Sequence, residues 1–301
     1  MIMIPVELQD KIRRMSNLPT LPQVACSILD YINNPHSSSS DIAAIVSQDI
    51  SLTAKILRLS NSAFYGMPRT IGNINEAIVI LGFKVIYTMV LSLTVFDMFP
   101  QEKRSAQFDR KKFWKHCLIC ALLSKLIAEK ISLKGVTPEE AFCAGLLHDI
   151  GKIVMEQYLH DDFHNAIDYG NKSEKSMYQA ESELLGYSHC DVAEWLISRW
   201  NLPEVLHHPI VYHHRPEKIL AKQSSAQVSR SKYYTAICHI ADYECYDRKI
   251  TGTQSTVTPP PFTYDIVSLI GLTPSDLDSI HDQVPARLEQ FAIFYDLFLS
   301  K

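Results

Sequence analysis

His148 and Asp149 sit side by side at the end of the apolar stretch Ala141 to Lys152, AFCAGLLHDIGK, and both are good ligands for a divalent metal. His offers a ring nitrogen and Asp offers oxygens. Neighbouring residues on a helix point a quarter-turn or more apart, so the pair reaches one ion only near a helix end or across a bent backbone. Gly151 is expected to permit that bend. Lys152 would then set a positive charge beside the metal, where an anionic phosphate would sit. A His-Asp dipeptide arises by chance in many chains, so a metal site requires further ligands.

Those ligands accumulate along the chain: His116 before the pair, then His189, His213, His214 and Asp242. Each falls on or at the end of an expected helix, so a bundle could aim the whole set into one interior. Two ions bridged by a carboxylate and a water need about this inventory. Taken singly, most members have plainer readings. His116 fits a satisfied core histidine, His213-His214 a helix C-terminus favoured by its dipole, and Asp242 a cap or ion-pair partner. His207, His208 and His239 show that the region is simply histidine-rich. The order and spacing of the set carry the metal site.

The elements that must hold these residues are helices. Proline and small polar starts recur at Pro5, Pro22, Ser40 or Asp41, Ser51, Asn73 or Asn75, Thr137-Pro138, Pro203 and Thr273-Pro274, each followed by apolar residues at helical spacing. Strand alternation and hairpin signals are lacking. The expected fold is all-α, a multi-helix bundle. A helical N-terminal subdomain is expected over residues 1–100, a helical subdomain with the candidate metal site over 113–249, and a helical tail over 262–301. The charged connector 101–112 and the Pro-rich segment 250–261 separate them. Gln223 to Ser231 is polar and expected to be a loop.

The 301 residues provide ample core, and 47% hydrophobic with 21% charged residues fits a soluble globular protein. A net charge of -4 argues against a general nucleic-acid binder. Val85 to Phe99 is the most apolar run, contains Asp97, and falls short of the ~20 residues a membrane-spanning helix needs. A buried core helix is expected there. Seven scattered cysteines without a secretory signal suit reduced thiols in a cytoplasm. Cys117 and Cys120 form a CxxC inside an apolar helical run and read as core-facing small residues. A His/Asp site without thiolate suits Mn, Fe, Co, Ni or Zn about equally.

His116, His148-Asp149 and Asp242 resemble the H…HD…D pattern of the HD superfamily of metal-dependent phosphohydrolases. LPTLPQVACSIL, VSQDISLTAKILRLSNSAFYG, INEAIVILGF, FWKHCLICALLSKLIA, AGLLHDIGKIV, ESELLGYSHCDVAEWLISRWNLPEVL and YHH are similar to the signature of the HDOD domain. That resemblance runs from Leu18 to His214, more weakly through HIADY around Asp242, and excludes residues 250–301. It implies an all-helical, HD-superfamily-like fold in a bacterial, cytoplasmic signalling protein. It further implies one ion on His116, His148, Asp149 and Asp242, with Asp149 bridging to a second on His189, His213 and His214. Lys152 would contact phosphate.

Three departures from the catalytic HD-GYP relatives argue against cyclic-di-GMP hydrolysis. IVMEQYLHDDFH follows Lys152 without a GIPD-like stretch, no GYP motif lies between His148 and His189, and Lys112 stands where some relatives carry a metal-binding Glu. The expected function is regulatory, through an unidentified signalling protein partner, with one or two divalent ions bound. The alternative is a metal-dependent phosphohydrolase acting on nucleotides or cyclic dinucleotides, with Asp149 and Lys152 in the chemistry. No membrane role is expected, and a DNA-binding role has little support.

Overall fold

The computed structural model describes residues 5–14, 20–32, 39–99, 107–220, 226–247 and 258–299. Half of the expected connector 101–112 and most of the Pro-rich segment 250–261 fall outside them, and Arg110 to Lys112 of the connector already belong to a helix. The described residues form eighteen helices and no strand. In chain order they begin α1 (Val6–Arg14), α2 (Gln23–Ile32), α3 (Ser39–Ser47), α4 (Ile50–Ser60), α5 (Ile74–Leu81) and α6 (Phe83–Asp97). The middle of the chain forms α7 (Arg110–Ile131), α8 (Pro138–Leu147), α9 (Ile150–Tyr158), α10 (His160–Ser173), α11 (Met177–Leu185) and α12 (His189–Arg199). The rest are α13 (Glu204–Tyr212), α14 (Glu217–Leu220), α15 (Ala226–Asp247), α16 (Asp265–Leu269), α17 (Pro274–Gln290) and α18 (Ala292–Leu299).

Contacts divide the chain into two units, residues 1–18 with 102–281 and residues 19–101 with 282–301. This grouping follows different lines from the three-part sequence division, because the segment expected as a separate tail is shared at residue 281. In the smaller unit, α6 is buried without interruption from Val85 to Phe96 and packs on α2, α4 and α5. A helix apolar on every face is a core element. No helix among the described residues is long and apolar enough to cross a membrane.

Local chemistry decides where helices begin. Asn73 caps α5 by accepting from the Glu76 amide at 2.9 Å. α4 begins two residues earlier than expected, because Asp49 rather than Ser51 is the cap, accepting from Leu52 N–H at 2.9 Å and leaving Ser51 inside the helix. Ser40 and Asp41 likewise fall inside α3.

The larger unit holds the candidate ligands and is built on α7, whose residues Cys117 to Leu123 are at most 2% exposed. α8 and α15 lie against it, and α13 packs on both. Arg110, in the first turn of α7, is buried and donates through Nε to Glu156 of α9 at 3.0 Å. The expected loop at 223–231 is corrected from residue 226 onward, where α15 has already begun. Arg230 anchors that start by donating from Nε to Gly135 O at 2.7 Å and pairing with Glu140 at 3.1 Å.

Candidate metal centre

Six helices position the seven expected ligands. His116 comes from α7, His148 and Asp149 from the break between α8 and α9, His189 from the first position of α12, His213 and His214 from the end of α13, and Asp242 from α15. The bend falls at Asp149 itself, with φ -99° and ψ 13°, in a sparsely populated region that active-site residues often occupy. Gly151 is therefore not the hinge. It lies inside α9, and a Cβ there would meet the His189 carbonyl oxygen at 1.9 Å. Its hydrogen lets α12 close against α9 and bring His189 to Asp149. Gly145 does the same between α8 and α7, where a Cβ would lie 2.7 Å from Cys120 O.

The structure brings all seven side chains together, each at most 8% exposed. Asp149 lies between two groups. Its Oδ2 faces His148 Nε2 at 3.3 Å and His116 Nε2 at 3.6 Å, while Oδ1 faces His189 Nε2 at 3.3 Å and His213 Nε2 at 3.6 Å. Asp242 Oδ1 stands 3.2 Å from His116 Nε2 and 3.5 Å from His148 Nε2, and its Oδ2 is 3.8 Å from His214 Nδ1.

Three rings are held by their outer nitrogen. His148 Nδ1 donates to Gly145 O at 2.8 Å, His213 Nδ1 to Ile210 O at 3.0 Å, and His189 Nδ1 to Glu181 at 2.5 Å. Each bond leaves Nε2 turned inward, as metal-binding imidazoles require. Asp149 Oδ1, Asp242 Oδ1, His189 Nε2, His213 Nε2 and both ring nitrogens of His214 are buried without a hydrogen-bond partner. Buried polar atoms are rarely left so, and divalent ions would satisfy them, with one ring nitrogen of His214 left over. Residues of this type and placement fit a metal, with His116, His148 and Asp242 on one side, His189, His213 and His214 on the other, and Asp149 shared.

The charges agree with that fit. Burial works against the charged form of Asp149, but His148 and Lys152 outweigh it and hold the carboxyl well below the usual range. Burial likewise opposes charge on His148, yet Asp149 and Asp242 raise it to about 10. Against burial, His189 is pushed up by Glu181. Burial lowers His213 to about 4 and holds His214 well below its ordinary value. Lys152, 2% exposed, donates to Asp149 Oδ2 at 2.6 Å rather than projecting alone.

Sequence reasoning missed three neighbours. Glu181 is fully buried behind His189, eight residues earlier in the chain, with nothing in its local sequence to mark it. Cys120, read as a core residue, has its sulfur 3.5 Å from His116 Nε2, and Cys190 belongs to the group of His189, His213 and His214. The helical spacing of His116 and Cys120 was the available signal for the first. His239 also supports the site, donating from Nδ1 to His213 O at 2.6 Å.

The sequence pattern of the HDOD domain matches residues 18–216. An HDOD domain protein with unknown function from Geobacter sulfurreducens is 25% identical, with a TM-score of 0.73 and 97% of each chain covered. A Shewanella amazonensis SB2B protein provisionally named a phosphohydrolase shares the fold at 24% identity, with a TM-score of 0.69 and 98% of each chain covered. An uncharacterised Treponema pallidum (strain Nichols) protein is 25% identical over 201 residues, which make up 67% of this chain and 38% of that one.

Proposed function

Because the chain belongs to the HDOD domain family, we propose that it is a signalling protein that holds divalent ions in this centre and acts through a protein partner. The burial of all seven ligands carries this reading. Ions enclosed in this way stabilise or report on the fold of the larger unit, whereas hydrolysis needs a coordination position open to substrate. His116, His148, Asp149 and Asp242 would hold one ion, and Asp149 would share a second with His189, His213 and His214. Zn, Fe, Mn, Co and Ni all suit this set. A cytoplasmic location accords with seven free thiols.

The second reading, a metal-dependent phosphohydrolase, has one observation in its favour. Tyr178 lies against His214 with ring centroids 4.9 Å apart, and Arg215 stacks over Tyr178 at 5.6 Å with its Nε unbonded. Both are partly exposed, so an aromatic face and a cation, the latter also paired with Asp191 at 3.6 Å, lie beside His214 where they could meet a phosphate ester. Bound ions would supply an activated water there. Lys152 would steady Asp149, and Arg215 the phosphoryl oxygens.

The deciding experiment loads the chain with each candidate metal and assays cyclic dinucleotides, nucleotides and a chromogenic phosphodiester. The regulatory reading expects retained metal, no turnover, and loss of metal in Asp149→Ala. Turnover in the loaded protein that disappears in Asp149→Ala establishes the hydrolase instead.

A further inference from the structure

We infer that the centre carries a thiolate on both sides, Cys120 as a ligand on the His116 side and Cys190 as a ligand on the His189 side. The inference deepens the metal-centre reading and rests on it. Cys120 follows His116 by one turn of α7 and points its sulfur at the same nitrogen that faces Asp242. The ligand atoms of His116, Cys120, His148 and Asp242 all lie within 4.8 Å of one another. Those of His189, Cys190, His213 and His214 satisfy the same limit. Bonds of about 2.0–2.3 Å to nitrogen and sulfur bring such atoms onto one ion after small side-chain adjustments. Both thiols are completely buried, and Cys117, equally buried on the same helix, belongs to neither group.

A partner for the sulfur is already present. Cys120 donates its S–H to Cys245 Sγ at 3.3 Å. When Cys120 gives up its proton to become a ligand, Cys245 stands where it can return the hydrogen bond. Thiolate ligands shift selection toward zinc, cobalt and iron and away from magnesium, calcium and manganese.

Cobalt(II) loading of the full chain tests this by absorption spectroscopy. Thiolate ligation gives a charge-transfer band in the near ultraviolet, beside the visible bands that any bound cobalt shows. The band is expected to weaken by about half in Cys120→Ser, vanish in the Cys120→Ser, Cys190→Ser double variant with cobalt still bound, and persist in Cys117→Ser. Bound cobalt without the band, or a band surviving the double variant, overturns the thiolate inference and leaves the metal centre standing. No cobalt retained by the unaltered chain overturns both. Should the double variant not fold, zinc X-ray absorption on the unaltered chain decides. A sulfur scatterer at about 2.3 Å supports the inference, and a shell of nitrogen and oxygen alone refutes it.

Discussion

Glu181 accepts two hydrogen bonds from His189, one from Nδ1 at 2.5 Å and one from its backbone amide at 2.9 Å. The double grip fixes the ring plane and the start of α12 at once, so Nε2 has a single direction, toward Asp149. Removing such a carboxylate from behind a ligating histidine typically costs about 10–100-fold in metal affinity. Glu181→Ala is therefore expected to weaken the ion on the His189 side by that factor while the His116 side keeps its own. Metal titration with a competing chelator would show two separated affinities in the variant, and equal weakening of both would contradict this.

Gly151→Ala is expected to damage the same side by a different route. The new methyl group would lie on the His189 backbone oxygen, and neither helix can yield without moving a ligand. Overpacking of this kind costs about 1–3 kcal/mol or more. Urea unfolding should show a midpoint well below that of the parent, with metal content reduced. An unchanged midpoint would mean that α9 and α12 do not meet this closely.

Metal binding should release protons. His148 sits at about 10 without metal, so near neutral pH it must lose its proton before its nitrogen can ligate. Calorimetry in buffers of different ionisation enthalpy should detect about one proton or more per chain, with affinity falling as pH is lowered. Buffer-independent heats would rule this out.

Stability of the metal-free chain should peak near pH 6.5. Burial, followed by the charge of His208, lowers His207 to about 4, and burial lowers His213 to a similar value. Their folded values lie below the unfolded 6.5, so the unfolded chain takes up protons first and stability is lost as pH falls from 6.5 through about 4. His148 behaves oppositely. Its contribution is complete below 6.5 and is lost as pH rises through about 10. Denaturation midpoints across pH 4–10 would test both limbs, and a flat profile would refute them.

Glu156→Ala strands the buried Arg110 guanidinium, and breaking a buried pair from one side costs about 3–5 kcal/mol. The loss should appear in urea unfolding of the metal-free and metal-loaded chain alike, because the Glu156 carboxylate is engaged by Arg110. A loss confined to the metal-loaded chain would instead tie Glu156 to the centre.

Helices opening at Pro22, Asn73, Pro138, Pro203 and Pro274 were legible because their start signals act within a few residues of themselves. The candidate ligands were legible for a related reason, since each is an ordered member of a recognisable motif. What escaped depends on approach between distant segments. Gly151 looks like a hinge until His189 is seen pressed against it, and Cys120 looks like packing until the Asp242 helix arrives beside it. α9 was hidden because the helix before it ends at the candidate ligands themselves.

The two-residue break between α8 and α9 also makes the site sensitive to length. Each residue advances an α-helix by about 100°. One residue added or deleted just after Asp149 would turn α9 so that Lys152 leaves Asp149 and a side chain replaces Gly151 beneath His189. Residues Ile150 to Glu156 of α9 are buried, so the count of residues there is constrained together with their identity.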